Sequence, residues 1–177
     1  MITFVKGNLF ESPAQVLVNT VNTVGAMGKG IARDFKTFFP EMFAEYRDLC
    51  DRDQLKVGRL HLYRGDRKWI LNFPTKVHWR NPSKLEYIEE GLRAFTRLYA
   101  SAGINSAAFP PLGCGHGQLD FKSQVRPMMI EHLESLPIPV FIYPERPRTT
   151  PEQKDIKAMK DWLQSEPESS SSRRPAS

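Results

Sequence analysis

Lys76 stands in the stretch NFPTKVHWRNPSKLE, residues 72–86, with His78, Trp79, Arg80 and Lys84 close behind it. Phe73, Pro74 and Trp79 flank the lysine with apolar bulk. Partial desolvation favours the neutral amine, which can serve as a nucleophile or a base. The same cluster also suits nucleic acid, with a base stacked on Trp79 and phosphates met by Arg80 and Lys84. With no ligand it is a solvated basic loop between a strand and a helix. The residues alone leave these readings open.

Two glycine-rich segments offer the rest of a site. NTVNTVGAMGKGIA, residues 19–32, carries Gly25, Gly28 and Gly30 ahead of a helical pattern. Its main-chain N–H groups precede a helix start, which favours an anion. It lacks the Gly-Lys-Ser/Thr ending of a Walker loop. Asn19 and Asn22 add amides where a strand ends. PPLGCGHGQLD, residues 110–120, alternates Gly113, Gly115 and Gly117 and presents a second bare backbone to phosphate. Together the loops suggest a diphosphate held between two backbone cradles. Cys114 reads as loop packing, since no histidine is placed by sequence to activate it. His61, His78, His116 and His132 show no metal-ligand spacing.

The chain has 177 residues, enough for one domain plus a tail. Its 40% hydrophobic and 25% charged content is that of a soluble globular protein with one core. A net charge of +5 permits an anionic ligand or nucleic acid without requiring either. Cys50 and Cys114 lie far apart with no zinc or CxxC spacing, so reduced thiols and a cytoplasmic location are expected. The N-terminus has no signal-peptide layout, and no apolar run is long enough to span a membrane.

The elements that must position these loops follow from patterning. Residues 1–6 read as a first strand and residues 16–19 as a short strand buried on both faces. Helices are expected over residues 30–39, stopped by Pro40, and over residues 41–50. Residues 60–63 and 69–73 read as strands around a turn at Gly65. Ser83 and Glu86 match a capping box, opening a helix with Leu85, Ile88, Leu92, Phe95 and Leu98 along one stripe. Residues 106–109 form another short strand. Residues 120–136 are helical, capped by Asp120 and restarting near Pro127. Residues 140–143 are the last strand. Strands alternating with helices predict an α/β sheet covered on both faces, mostly parallel, with the first strand joining antiparallel at an edge. Ligands bind such sheets at the carboxyl ends of the strands, which selects the loops after Asn19, Phe73 and Phe109. The domain is expected over residues 1–144. Residues 145–177 are expected to be a Pro/Arg/Thr-rich linker, a short amphipathic helix over 152–164 and a disordered tail from 165.

The opening strand with Gly7-Asn8-Leu9-Phe10, then NTVNTVGAMGKGIA, NFPTKVHWR and PPLGCGHGQLD in that order resemble the macrodomain family of ADP-ribose binders and hydrolases. Within it they look most like the DNA ADP-ribosyl glycohydrolase branch, the DarG-type antitoxin macrodomains. The resemblance implies a three-layer α/β/α macrodomain with a mixed, mostly parallel sheet of about six strands. It implies removal of ADP-ribose from thymine in single-stranded DNA, with Lys76 and Asn22 catalytic and Asn22 at the distal ribose. ADP-ribose contacts are implied for Asn8 and Leu9, and for Asn19, Thr20, Gly28, Lys29, Gly30 and Ile31 in the first loop. In the second they are implied for Pro111, Gly113, Cys114, Gly115, His116, Gly117 and Gln118. His78, Trp79, Arg80 and Lys84 are the expected DNA contacts.

No metal or cofactor is expected. A cognate ADP-ribosyltransferase toxin is the implied partner of the branch, and a monomer is expected. This sequence departs from the family pattern in having Asn8 where many members carry Asp at the adenine. It also lacks, near Gly117, the acidic residue of the protein-directed lysine enzymes. The branch usually continues into a second domain, whereas SSSSRRPAS reads as the end of a stand-alone or shortened relative. The alternative functions are hydrolysis of ADP-ribosylated protein or O-acetyl-ADP-ribose, and non-catalytic reading of ADP-ribose.

Overall fold

The structure, a computed structural model, describes residues 1–145, 157–158 and 160–162. Most of the linker, of the helix expected over 152–164 and of its apolar side, and all of the tail from 165, lie outside the described residues.

Six strands form one sheet: Ile2–Phe4 (β1), Val16–Val21 (β2), His61–Arg64 (β3), Trp69–Pro74 (β4), Ala107–Phe109 (β5) and Val140–Ile142 (β6). Their order is β1-β6-β5-β2-β4-β3, and every pairing is parallel except β3 with β4. Gly30–Phe38 (α1) and Pro40–Asp51 (α2) cover one face, and Leu85–Leu98 (α3) and Arg126–Leu133 (α4) cover the other. This is the expected three-layer fold. The alternation of β2 builds both cores. Val16 and Val18 meet Ile88, Leu92, Phe95 and Met129, while Leu17 and Val21 meet Phe35, Met42 and Tyr46.

The first strand runs parallel to β6, not antiparallel as expected. The Met1 ammonium donates to the carbonyls of Leu136 at 3.0 Å and Ile138 at 3.2 Å, and Val140 N donates to Met1 O. The chain start is therefore pinned beside the start of β6 and can only run with it. The antiparallel edge is β3, because the turn at residues 65–68 is too short for a parallel crossover.

Of the expected stripe of α3, Ile88, Leu92 and Phe95 are buried and Leu85 and Leu98 half-buried, but the capping box does not form. The helix starts behind Lys84 with no side-chain cap. Ser83 is instead buried, its hydroxyl without a hydrogen-bond partner. Asp120 does cap, accepting from Ser123 N at 2.8 Å and holding its own carboxyl below the usual range through the Ser123 hydroxyl and N–H. A π-turn at Phe121–Val125 leads into α4 with Pro127 in its first turn. Among the described residues no helix is long and apolar enough to cross a membrane.

Polar groups lie inside the α1/α2 layer. Lys68 is buried and donates to the carbonyls of Ser12 and Ala14, tying the β1–β2 connection to β4. Asn19 and Asn72 are register partners, with Asn19 Nδ2 donating to Asn72 Oδ1 at 3.0 Å. Asn72 Nδ2 donates in turn to His61 Nδ1 at 3.0 Å, so the neutral ring carries its proton on Nε2, 3.1 Å from Glu45.

Two outcomes test this packing. A Cβ at Gly91 would lie 2.2 Å from the Phe73 ring, so Gly91→Ala should destabilise the fold by about 2–3 kcal/mol in urea unfolding. Burial holds His61 below its ordinary value of 6.5, against the opposing pull of Glu45. The unfolded chain then binds more protons as pH falls through 6.5, so this stabilisation is complete above that pH and lost on acidification. Unfolding curves at pH 7.5 and 5.5 should show a loss that is smaller in His61→Gln.

Candidate functional site

Because β2, β4 and β5 are parallel, their carboxyl ends share one edge. The loops that leave them enclose a cleft of about 620 Å³.

The loop after β2 is wound around Asn22. The Asn22 amide donates to Ala26 O at 2.8 Å, and its oxygen accepts from Val24 N at 3.1 Å and Ala26 N at 3.3 Å. Tyr46, on α2, donates its hydroxyl to Asn22 O at 2.8 Å and lies 3.0 Å from Oδ1. Burial, with Cys50 adding to it, pushes that hydroxyl well above its ordinary range, so it remains a donor. Asn22 thus shapes the loop with the side chain that the family resemblance would place at the distal ribose. Thr23 closes the loop tip, donating N–H and hydroxyl to Val77 O at 3.0 and 2.9 Å.

The segment after β4 clasps the second glycine loop. At its start Lys76, half-buried, donates Nζ to His116 O at 2.9 Å and approaches Trp79 O at 3.4 Å. At its end Ser83 N donates to Gly117 O at 3.0 Å. Gly117 is buried against Ser83, and a Cβ there would meet the Ser83 hydroxyl at 2.5 Å. The space beside Gly117, near which the resemblance would place an acidic residue in protein-directed lysine enzymes, is therefore filled here by Ser83. Trp79 stands at the rim, with His78 stacked 5.3 Å away and the Arg80 guanidinium 4.7 Å from the indole centre.

Of the residues singled out from sequence, Thr20, Asn22, Gly28, Lys29 and Ile31 line the cleft from the first loop. Gly113, Cys114, His116 and Gly117 line it from the second, and Lys76, Trp79 and Arg80 from the third. Other expected contacts stand outside the lining. Asn8 caps a short 3-10 turn by accepting from Phe10 N at 3.0 Å, and Leu9 is in the core. Asn19 is buried in the polar pair with Asn72, with its Oδ1 left unpartnered. Gly30, Pro111, Gly115 and Gln118 shape the loops beside the cleft, with Gln118 at φ 66°. His78 supports Trp79, its Nδ1 accepting from Arg80 N at 3.1 Å. Lys84 points over Tyr87, 5.6 Å from the ring.

Sequence reasoning missed Val21, Ala26, Ala32 and Thr75, which also line the cleft. The strand runs two residues past its expected end, to Val21, and the β-branched pair Thr20-Val21 was the sequence signal for that residue. No Asp or Glu side chain is among the lining residues. Among the described residues, no cluster of three or more His, Cys, Asp or Glu side chains could hold a metal.

Comparison with known proteins bears on this geometry. The chain is 46% identical over 148 residues to a protein of Thermus aquaticus named DNA ADP-ribosyl glycohydrolase, covering 81% of this chain and 41% of that one. The chain therefore spans about two fifths of the length of the curated DNA ADP-ribosyl glycohydrolases it matches. The solved macrodomain of Thermus aquaticus DarG is similar at TM-score 0.77 and 45% identity, over 82% of this chain and 99% of that one. Thermosipho africanus DarTG, solved in complex with ADP-ribose, is similar at TM-score 0.78 and 38% identity, over 89% of this chain and 45% of that one. The Macro domain family model matches residues 18–128, from β2 into α4, which takes in both glycine loops and the segment between them. On that match the chain belongs to the macro domain family.

Proposed function

We propose that this protein hydrolyses the bond joining ADP-ribose to a thymine base in single-stranded DNA. The observation that carries the reading is Lys76 Nζ in the cleft between two glycine loops, with Trp79 and Arg80 on the same rim. The names of the similar proteins support removal of ADP-ribose from DNA, and the thymine base and the single strand are this reading's own. The diphosphate would lie between the N–H groups of residues 28–31 and 113–117, with Asn22 holding the first loop beside the distal ribose. A non-catalytic reader would need the glycine loops but not the lysine.

Hydrolysis breaks the bond between the anomeric carbon and a ring nitrogen of the base, whose electron pair leaves with the base. Water supplies an oxygen to the carbon and a proton to balance the base. Lys76 meets two main-chain carbonyls as a donor, those of His116 and Trp79. These contacts favour a cationic role, in which the ammonium stabilises charge on the departing base, over attack by a neutral amine. The Thermosipho africanus relative is named as a fusion of a DNA ADP-ribosyl transferase with the glycohydrolase. A transferase of that kind would be the cognate toxin that makes this substrate. The reaction would then take place in the cytoplasm, on a monomer.

Turnover of thymine-linked ADP-ribosyl oligonucleotide tests the reading. Lys76→Ala should abolish hydrolysis while calorimetry still finds ADP-ribose bound, and near-full activity would sink the assignment. Lys76→Arg keeps the cation and should retain measurable turnover above Lys76→Ala. Trapping of a Lys76–ribose adduct by borohydride would instead establish the nucleophile. Gly117→Asp must displace Ser83 and with it the carbonyl that holds Lys76, so activity should fall at least tenfold, with no gain on ADP-ribosylated acidic side chains. Such a gain would refute the steric explanation.

A further inference from the structure

Trp79 and Arg80, on the rim of the cleft, lie among exposed apolar side chains that bond cleavage at the ribose does not by itself require. Trp79 is 46% exposed and Val77 48% exposed, among the few large apolar side chains so open to solvent. Val24, 45% exposed, sits at the tip of the first loop, which Thr23 ties to Val77 through two hydrogen bonds. Of these side chains Trp79 lines the cleft, as does Arg80, while Val24 and Val77 lie in the two segments that Thr23 joins.

We infer that Trp79 and Arg80 form a subsite for the nucleotide next to the modified one, so that an unpaired strand is a better substrate than ADP-ribosyl thymidine alone. The inference rests on the glycohydrolase reading above. Its chemistry is an aromatic face for a base and a guanidinium for the neighbouring phosphate.

Relative strengths decide whether a base can take the place Arg80 now holds. The guanidinium lies 4.7 Å from the indole centre at an exposed site, a contact worth only about two- to fivefold in binding. Stacking a base on an aromatic ring is worth roughly five- to 150-fold. A base therefore displaces Arg80, which is exposed and free to swing to the phosphate while it remains beside the ring. His78 is the support for this platform: it stacks on Trp79 with a 29° tilt, and its ring nitrogen holds the Arg80 main chain. Lys84 stands apart, over Tyr87, and is not part of the subsite. A paired base has both faces covered by its neighbours, so a duplex offers nothing to the indole without unstacking.

Steady-state kcat/KM on ADP-ribosyl thymidine, on a single-stranded oligonucleotide bearing one ADP-ribosyl thymine, and on that oligonucleotide annealed to its complement provides the test. The single strand should exceed both others by tenfold or more. Trp79→Ala should lose at least ten times more on the single strand than on the mononucleoside, and Trp79→Phe should recover most of it. Arg80→Ala should lower the salt slope of single-strand KM by about 0.7. Melting curves report whether Trp79→Ala folds, and if it does not, Trp79→Phe and Arg80→Ala carry the comparison. Equal kcat/KM on mononucleoside and single strand, or an equal loss on both in Trp79→Ala, would overturn the subsite and leave the glycohydrolase reading intact. Hydrolysis of none of the three would overturn both.

Discussion

The parallel register of β2 against β4 is the constraint on which the cleft depends. Val16 lies beside Trp69 and the pairing continues to Val21 beside Pro74, so both strands end together. Parallel strands cannot be joined by a hairpin, and each must hand its chain to a helix on one face before the next strand begins. The turns into α1 and α3 therefore leave from the same edge, and β5, parallel to β2, adds the second glycine loop beside them. Fifty-odd residues separate Asn22 from Lys76, yet the register places both in one wall.

Holding these loops involves polar groups where apolar ones would pack more simply. The two buried side-chain atoms found without a partner are Asn19 Oδ1 and Ser83 Oγ. Each sits behind a glycine loop: Asn19 against Met27 of the first, Ser83 against Gly117 of the second. An unsatisfied buried polar atom costs about 1–3 kcal/mol. Both occur, among the described residues, directly beneath the site. Around Asn19 the rest of the polar chain is satisfied, from Asn72 through His61 to Glu45, which ties three adjacent strands together beneath the cleft.

The second loop shows how a small steric fact shapes chemistry. Ser83 fills the space at Gly117, and Lys76 reaches the carbonyl one residue earlier. One segment thus presses on the loop from behind and holds it from the front. The wall that results has cations and bare backbone but no carboxylate among its lining residues. Such a wall suits a ligand rich in phosphate, met by backbone N–H groups and cationic side chains.

Much of this was legible from local pattern. The continuous apolar run of β2, the stripe of α3, the Asp120 cap and the restart at Pro127 each depend on neighbours within a few residues, and the sequence by itself determined them. The order of the glycine loops and of NFPTKVHWR along the chain was equally plain. Tertiary structure decided what depends on segments distant in sequence. It set the direction of β1, which follows from hydrogen bonds between Met1 and residues 136–140. It turned Ser83 from a helix cap into the backing of Gly117, because burial against the loop competes with a local hydrogen bond and wins. It also committed the Asn22 amide to its own loop and left Asn8, Leu9 and Lys84 outside the cleft lining. Periodicity records which face of an element is buried, but not which other element lies against it. That second fact arises only when the sheet brings remote loops to one edge.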